Sequence, residues 1–183
     1  MKLEEPLFTK NLMLSHLRSP NINKKYLGWL QNPDINRFLE VRFGPPKTKR
    51  QLRSYVSRLK KGGTELLLGI FLISDGRHIG NIKLGPIWSH HRRAEIGILI
   101  GESDQWGKGF ACEAISALAT FSEEELGLNQ LTARCYAANK GSLKAFQASG
   151  FLLEATLPDY YLQDDGEPTH ALLLRRLRIS QTE

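Results

Sequence analysis

The chemistry in this sequence is concentrated where a run of apolar residues gives way to glycines. Ala94-Glu95-Ile96-Gly97-Ile98-Leu99-Ile100 has the composition of a strand, 101–105 reads as a turn, and Trp106-Gly107-Lys108-Gly109-Phe110-Ala111 opens a helical pattern. Glycine has no Cβ, so main-chain N–H groups can converge on a ligand there, and a helix start adds a favourable dipole for an anion. The segment therefore reads as a phosphate cradle, or more plainly as a glycine turn that caps a helix. Lys108-Gly109-Phe110 lacks the spacing of a P-loop. A dinucleotide fingerprint would need a small residue at 112, an acid near 132 and a parallel unit before them. Cys112, Thr132 and hairpin-like upstream strands do not supply these.

The elements that must position this turn can be read from periodicity and punctuation. Leu12 and Leu14 alternate with polar neighbours and predict a short first strand. Tyr26, Leu27, Leu30, Phe38 and Leu39, interrupted at Asn32-Pro33, predict a helix, a stop and a second short helix over 22–39. Thr48 with Gln51 is a capping-box pattern, followed by Leu52, Tyr55, Val56 and Leu59 at helical spacing as far as Gly62-Gly63. Strands at 66–73 and 79–84 flank the hairpin turn Asp75-Gly76. After a turn containing Pro86 and His90-His91 comes the strand at 94–100. Ala111, Ala114, Ile115, Leu118 and Phe121 then predict a helix that stops near Gly127. A strand at 131–137, a helix at 142–149 and strands at 151–156 and 171–174 complete the chain. Hairpins in the middle predict antiparallel pairing, and the later strand-helix-strand predicts a parallel neighbour. The expectation is one α+β domain over residues 1–183 with a mixed sheet.

A second cluster, Asn139-Lys140-Gly141-Ser142-Leu143-Lys144-Ala145-Phe146, ends in Gly150-Phe151. Taken with 106–111 and in this order, it resembles the GNAT acetyltransferase superfamily, especially its RimJ/RimL-like branch, from about Asn11 to Leu177. The family's phosphate motif, Arg/Gln-x-x-Gly-x-Gly/Ala after its fourth strand, is matched at Gly109 and Ala111. Trp106 takes its first place, as is common in that branch. The stretch 139–151 is similar to the family's Asn-x-x-Ser…Gly-Phe signature after strand five. The resemblance implies a GNAT acyl-CoA N-acyltransferase fold of about seven strands, the fourth and fifth splayed apart, flanked by four or so helices. Acetyl-CoA would lie in the splay. Its diphosphate would rest on Trp106, Gly107, Lys108, Gly109, Phe110 and Ala111, and its pantetheine would run beside Ile98, Leu99 and Ile100. The acetyl carbonyl would accept a hydrogen bond near Leu99. Asn139 would contact the pantetheine arm, and Lys144 would reach either a coenzyme phosphate or solvent.

Direct transfer to an amine needs a base, because a free ammonium with a pKa near about 10 is mostly protonated at neutral pH. Glu95 is the candidate base, on the strand face it shares with Gly97 and Leu99; the plainer reading is a strand glutamate paired with Arg93. By resemblance Ser142 would protonate the leaving thiolate, although a serine in a first helical turn also suits a cap. Tyr136, Tyr160 and Tyr161 are the alternative acids, or line the acceptor pocket. Cys112 on a helix face is a poor candidate nucleophile. His90-His91 is expected in an exposed turn, and no metal is assigned. The stretch from Tyr26 and Trp29 to Arg37 and Glu40 resembles the opening of acetyltransferases for nucleotide-linked amino sugars, whose anionic acceptors would suit Arg37, Arg42 and Trp29. A protein N-terminus of the ribosomal-protein type, a small polyamine or drug amine, and a non-catalytic acyl-CoA-binding module remain as alternatives.

The 183 residues are ample for one core, and 41% hydrophobic with 24% charged is ordinary globular usage. The net charge of +6 reads as scattered, with short clusters at Arg92-Arg93 and Arg175-Arg176, so no nucleic-acid partner is expected. No apolar stretch is long enough for a bilayer, no apolar segment follows Lys2, and two cysteines make no disulfide framework. The expectation is a cytoplasmic monomer or homodimer acting on a small amine, without membrane attachment.

Overall fold

The computed structural model describes residues 3–163 and 165–178. Eight strands form one sheet: β1 (Leu7–Phe8), β2 (Leu12–His16), β3 (Leu66–Leu72), β4 (His78–Trp88), β5 (Arg93–Ile100), β6 (Gln130–Tyr136), β7 (Leu152–Leu162) and β8 (Pro168–Leu177), in the order β1-β2-β3-β4-β5-β6-β8-β7. The helices are α1 (Lys24–Gln31), α2 (Pro33–Asn36), α3 (Lys49–Lys61), α4 (Phe110–Glu124) and α5 (Lys140–Ala148). The mixed α+β architecture is as expected. The sheet has eight strands rather than seven because Leu7–Phe8, too short to show alternation, pairs with β2.

Every neighbouring pair is antiparallel except β5 with β6, which are parallel. That pairing covers only Arg93↔Gln130, Ala94↔Leu131 and Glu95↔Thr132. Beyond it β5 stays with β4 as far as Ile100↔Gly80, and β6 stays with β8 as far as Tyr136↔Ala171. Each strand keeps its outer partner and the inner edges part. This is the splay expected between the fourth and fifth strands of the sequence reading.

The sheet separates two apolar layers. On one side Ala94 and Ile96 of β5 and Ala133 and Cys135 of β6 pack with Ala114, Ile115 and Leu118 of α4 and with Phe146 of α5. On the other side Tyr26, Trp29 and Leu30 of α1 pack with Leu52 and Val56 of α3, with Leu99 against them. Alternation along a strand then places Glu95 and Leu99 of β5 and Arg134 and Tyr136 of β6 on the second face.

Local chemistry accounts for most of the boundaries. The Asn23 side chain caps α1, and the Asn32 side chain accepts from Asp34 N so that α2 can restart at Pro33. The second helix stops at Asn36, short of 39, and the chain continues into a 3-10 turn, Glu40–Phe43. Thr48 Oγ1 accepts from Gln51 N as the capping box requires, but Gln51 Oε1 accepts from Lys47 N instead of the cap residue. β7 runs six residues beyond its expected end at 156. Pro158 sits on the sheet edge, where its missing N–H costs little, and Asp159 takes φ +50° within a register shift that lets pairing resume at Tyr161↔Thr169.

One ion pair ties the two helices beside the splay to β8. Arg176 donates from Nε and Nη2 to Glu123 of α4, both at 2.8 Å, and from Nη1 to Ser149 O after α5 at 2.9 Å. Glu123 is buried and Arg176 mostly covered. Glu123→Ala would strand a poorly solvated guanidinium, with an expected loss on the order of 2–3 kcal/mol in urea denaturation, below the range for fully buried pairs because Arg176 keeps some exposure. A loss no larger than that of an exposed surface pair would show that the contact does not hold the layer together.

Candidate active site

The glycine turn is built as the sequence reading requires. Gly107 and Gly109 have φ of +74° and +82°, a region that disfavours residues with a Cβ, and a Cβ added at either position would meet no atom within 4 Å. Gly109 is the N-cap of α4, and no side chain caps that helix. The first amides of α4, at Phe110, Ala111 and Cys112, therefore point out of the helix without an intrahelical acceptor. Trp106, half-exposed, donates its indole N–H to Ile100 O at 2.8 Å and so fastens the turn to the end of β5. Lys108 Nζ lies 3.3 Å from Gln105 Oε1, and Lys144 is exposed on α5.

The inner edge of β5 can be assigned from its outer one. Gly101 N donates to Ile79 O, and a Cβ on Gly80 would lie 2.2 Å from Leu99 O, so the odd-numbered main-chain groups face β4. Alternation turns those of Ile98 and Ile100 toward the gap. This departs from the expectation for Leu99: its main chain is spent on β4, while its side chain packs on the α1/α3 layer. The Ile98 main chain and the Ile100 N–H are the groups that the splay leaves without a ladder partner, the Ile100 carbonyl being taken by Trp106.

The second face of the gap carries an aromatic and charged cluster that local sequence could not assemble. Arg134 Nη2 donates to Glu95 Oε2 at 2.8 Å and Nε to Oε1 at 3.4 Å, bridging β5 and β6 just past the point where they part. Arg134 Nη1 also donates to the Tyr160 hydroxyl. Glu95 is thus paired, but with Arg134 and not with Arg93, whose guanidinium lies 4.1 Å over the Trp88 ring. Tyr136 stacks on Tyr161 with centroids 4.1 Å apart, packs against Phe38, and accepts from Arg42 Nη2 at 3.3 Å. Burial pushes the Tyr161 phenol up to about 12 despite the nearby Arg134 cation, so it keeps its proton at working pH. Glu95, Tyr136, Tyr160 and Tyr161, far apart in the chain, come together here.

Ser142 lies elsewhere. Asn139 is the N-cap of α5, its Oδ1 accepting from Ser142 N at 3.1 Å, so the expected serine cap is replaced by an asparagine one. Ser142 lies beside the buried Cys135 thiol, which burial pushes up while Ser142 and Lys140 act the other way. Cys112 Sγ, in the first turn of α4, accepts from Ser149 Oγ at 3.4 Å. His90 and His91 lie in an exposed 3-10 turn. Among the described residues no cluster of three or more His, Cys, Asp or Glu could hold a metal.

Three supports join distant segments and were not read from the sequence in these roles; Trp29, expected to face the acceptor, is instead buried. Trp29 of α1 covers Gly101, where an added Cβ would fall 2.1 Å from its ring, and donates its indole N–H to Glu102 Oε1 at 2.8 Å. Lys25 Nζ lies 2.7 Å from the other oxygen of Glu102. Glu113 of α4 accepts from Thr9 Oγ1 (2.5 Å), Asn11 N (2.7 Å) and Asn11 Nδ2 (2.9 Å), tying the β1–β2 turn to the helix whose start forms the cradle.

Residues 11–152 match the acetyltransferase (GNAT) domain family. The chain is similar to an uncharacterized N-acetyltransferase of Bacillus licheniformis, p20, being 27% identical over 157 residues that span 85% of this chain and 87% of that one. It is 35% identical to the uncharacterized N-acetyltransferase YoaA of Bacillus subtilis strain 168 over 86 residues, 47% and 48% of the two chains. Among solved structures, spermidine N-acetyltransferase from Vibrio cholerae in complex with CoA and spermine superposes with a TM-score of 0.81 at 20% identity, covering 93% of this chain and 97% of that one. A GNAT-family acetyltransferase from Bacillus anthracis gives 0.79 at 18% identity over 94% and 98%. At such identities these two structures speak to the fold.

The Glu113 anchor has a pH signature. Burial raises its carboxyl, but the hydrogen bonds from Asn11 and Thr9 outweigh that and hold it below the usual 4.5. A depressed folded-state pKa contributes stability that is present above the unfolded value and lost as pH falls through the folded one. The advantage of the native chain over Glu113→Gln in urea denaturation should therefore shrink between about pH 6 and about pH 3. An advantage constant across that window would mean that the three hydrogen bonds do not select the carboxylate.

Proposed function

This chain belongs to the GNAT acetyltransferase family, and from that premise we propose that it is a RimJ/RimL-like N-acetyltransferase whose acceptor is the primary amine of an amino-sugar nucleotide. The domain is an acetyl-CoA-dependent acetyltransferase, and the thioester it uses supplies an acetyl group activated for attack. The observation that carries the reading is the parting of β5 from β6 beside the uncapped, glycine-lined start of α4.

The chain's own groups divide the work. Gly107, Gly109 and the first amides of α4 suit the diphosphate, with Trp106 and Lys108 at the rim. The gap-facing main chain of Ile98 and Ile100 suits the pantetheine amides and the acetyl oxygen, where charge grows during attack. Asn139, already spent on capping α5, contributes there through the position of that helix, and Lys144 serves at the coenzyme phosphates. Glu95 is the base: its Oε1, the less tightly held of its two oxygens, takes the proton from the acceptor ammonium directly or through water. Tyr136 is the acid for the departing thiolate, since it stands at the last paired position of β6 on the same face as Glu95. Ser142, at the start of α5 and outside the Glu95–Arg134 cluster, remains the second candidate. Arg42, Arg134 and the tyrosines suit an acceptor that is anionic and partly apolar, as a sugar nucleotide is. We place the enzyme in the cytoplasm, as a monomer or homodimer.

Three variants test the roles. Glu95→Gln and Tyr136→Phe should each lower kcat on the order of 10²-fold with coenzyme affinity unchanged. Gly109→Trp should abolish the heat of coenzyme A titration, because an indole would occupy the cradle. Normal turnover by both Glu95→Gln and Tyr136→Phe would overturn the assignments, and undiminished coenzyme binding by Gly109→Trp would overturn the cradle. Acetyl-CoA consumption is to be screened against amino-sugar nucleotides, N-terminal peptides and polyamines. A preference for peptides would move the acceptor to a protein N-terminus, and no turnover with intact coenzyme binding would leave an acyl-CoA-binding module.

A further inference from the structure

The basic residues are not scattered. From Val41 to Thr64 the sequence holds eight lysines and arginines and no aspartate or glutamate, which more than accounts for the net charge of +6. The expectation of dispersed charge is corrected accordingly: it rested on adjacent pairs, whereas these residues are spaced by one to five positions along a loop and a helix. Lys47, Lys49, Arg50, Arg53 and Arg58 are exposed, and among the described residues none of them is ion-paired with a carboxylate. Such a concentration of cations raises the energy of the free surface and favours a bound anion.

This segment also borders an open cleft of about 520 Å³ between the Gly44–Lys47 loop and α3. Its polar lining is Lys47, Gln51, Ser54, Tyr55 and Arg58, with no acid, and Val41, Pro45 and Pro46 supply apolar wall. The volume lies in the range of small-ligand sites. The walls are fixed: Gln31 Nε2 donates to Pro46 O at 2.9 Å, Gln51 Oε1 accepts from Lys47 N at 2.6 Å, and Tyr55 packs on the α1/α3 layer. The 3-10 turn Glu40–Phe43 separates the cleft from the acceptor face. Val41 lines the cleft, while its neighbour Arg42 donates to the Tyr136 hydroxyl and, at 2.6 Å, to Leu162 O.

We propose that this cleft holds the phosphates of the acceptor, so that the acceptor is a nucleoside-diphosphate-linked amine whose amino end passes the 3-10 turn to reach the gap between β5 and β6. The inference rests on the acceptor reading above and adds the place where its charge is met. Lys47 and Arg58 provide charge-assisted hydrogen bonds, Ser54 and Gln51 neutral ones, and the Tyr55 ring and the prolines an apolar surface for the nucleoside.

The test is calorimetric titration of uridine 5′-diphosphate into the full chain in the presence of saturating coenzyme A, which fills the α4 cradle and keeps the probe out of it. The native chain is expected to bind, and Lys47→Ala/Arg58→Ala to bind about tenfold or more weakly with coenzyme affinity unchanged. Both side chains are exposed, so the variant should fold, and its thermal transition checks this. Lys49→Ala/Arg50→Ala, outside the cleft, removes the same charge and should retain the nucleotide. No nucleotide heat, or equal weakening by the two double variants, overturns the proposal. So does a short RNA that binds with steep salt dependence and is lost together with the nucleotide in Lys49→Ala/Arg50→Ala, since the helix would then serve nucleic acid. If coenzyme A binds and the nucleotide does not, only the cleft assignment falls; if coenzyme A itself gives no heat, the acetyltransferase reading falls with it.

Discussion

The structure depends on β5 being unable to satisfy both neighbours. Its outer ladder to β4 is held along nearly its whole length, while β6 is held as firmly by β8. The two halves of the sheet part at one place, after Glu95↔Thr132. Main-chain groups left there without partners would be costly if they were simply buried, so the break is tolerated where a polar ligand or water can complete it. Two tryptophans brace the broken end. Trp106 bonds the carbonyl of Ile100, and Trp29 covers Gly101 and bonds Glu102. The strand end is therefore held although its inner edge has no ladder partner, which is the condition for donors to be in place before charge develops on a substrate oxygen.

The charge arrangement follows from the same break. Arg134 can reach Glu95 because the strands have parted there, and an arginine two residues past the last paired position fills the widening space. The ion pair keeps a carboxylate at the mouth of the gap with side-chain exposure of 23%, so it is neither solvated like a surface group nor buried alone. Tyr160 and Tyr161, delivered by the far end of β7, close the same space from above the sheet edge. The irregularity at Pro158 and Asp159 is thus more than a defect: without it the strand would stop before the two tyrosines.

What could be read in the sequence was what local rules encode. The strand-turn-helix at 94–124, the Asp75-Gly76 hairpin, the Thr48 cap and the break at Asn32-Pro33 all depend on residues within a few positions of one another. They appear in the structure with small boundary shifts. The partner of Glu95 was not legible, since Arg93 is near in the chain and Arg134 is near only after β6 docks in parallel. Nor was the competition for the start of α5, where Asn139 and Ser142 both suit a cap and the asparagine, one turn earlier, takes it. Leu99 was placed on the correct face, but the direction of its main chain depends on which ladder claims the odd positions, and one glycine contact at Gly80 reveals that.

The two-layer arrangement also bears on how the reaction can proceed. The cradle belongs to the α4 layer, whereas Glu95, Arg134 and Tyr136 project into the α1/α3 layer. Donor and acceptor would thus approach the gap from opposite sides and meet where the sheet is open, which suits direct attack without an enzyme-bound acyl group. Cys112, the thiol nearest the glycine turn in sequence, lies in the α4 layer with its sulfur accepting from Ser149, away from the face that carries Glu95. Separation of the layers has a further consequence for specificity. Residues of α2, α3 and the tip of the β7–β8 hairpin would be the ones free to suit a different acceptor, because α1 is committed to the end of β5 through Trp29 and Lys25, and β8 to α4 through Arg176.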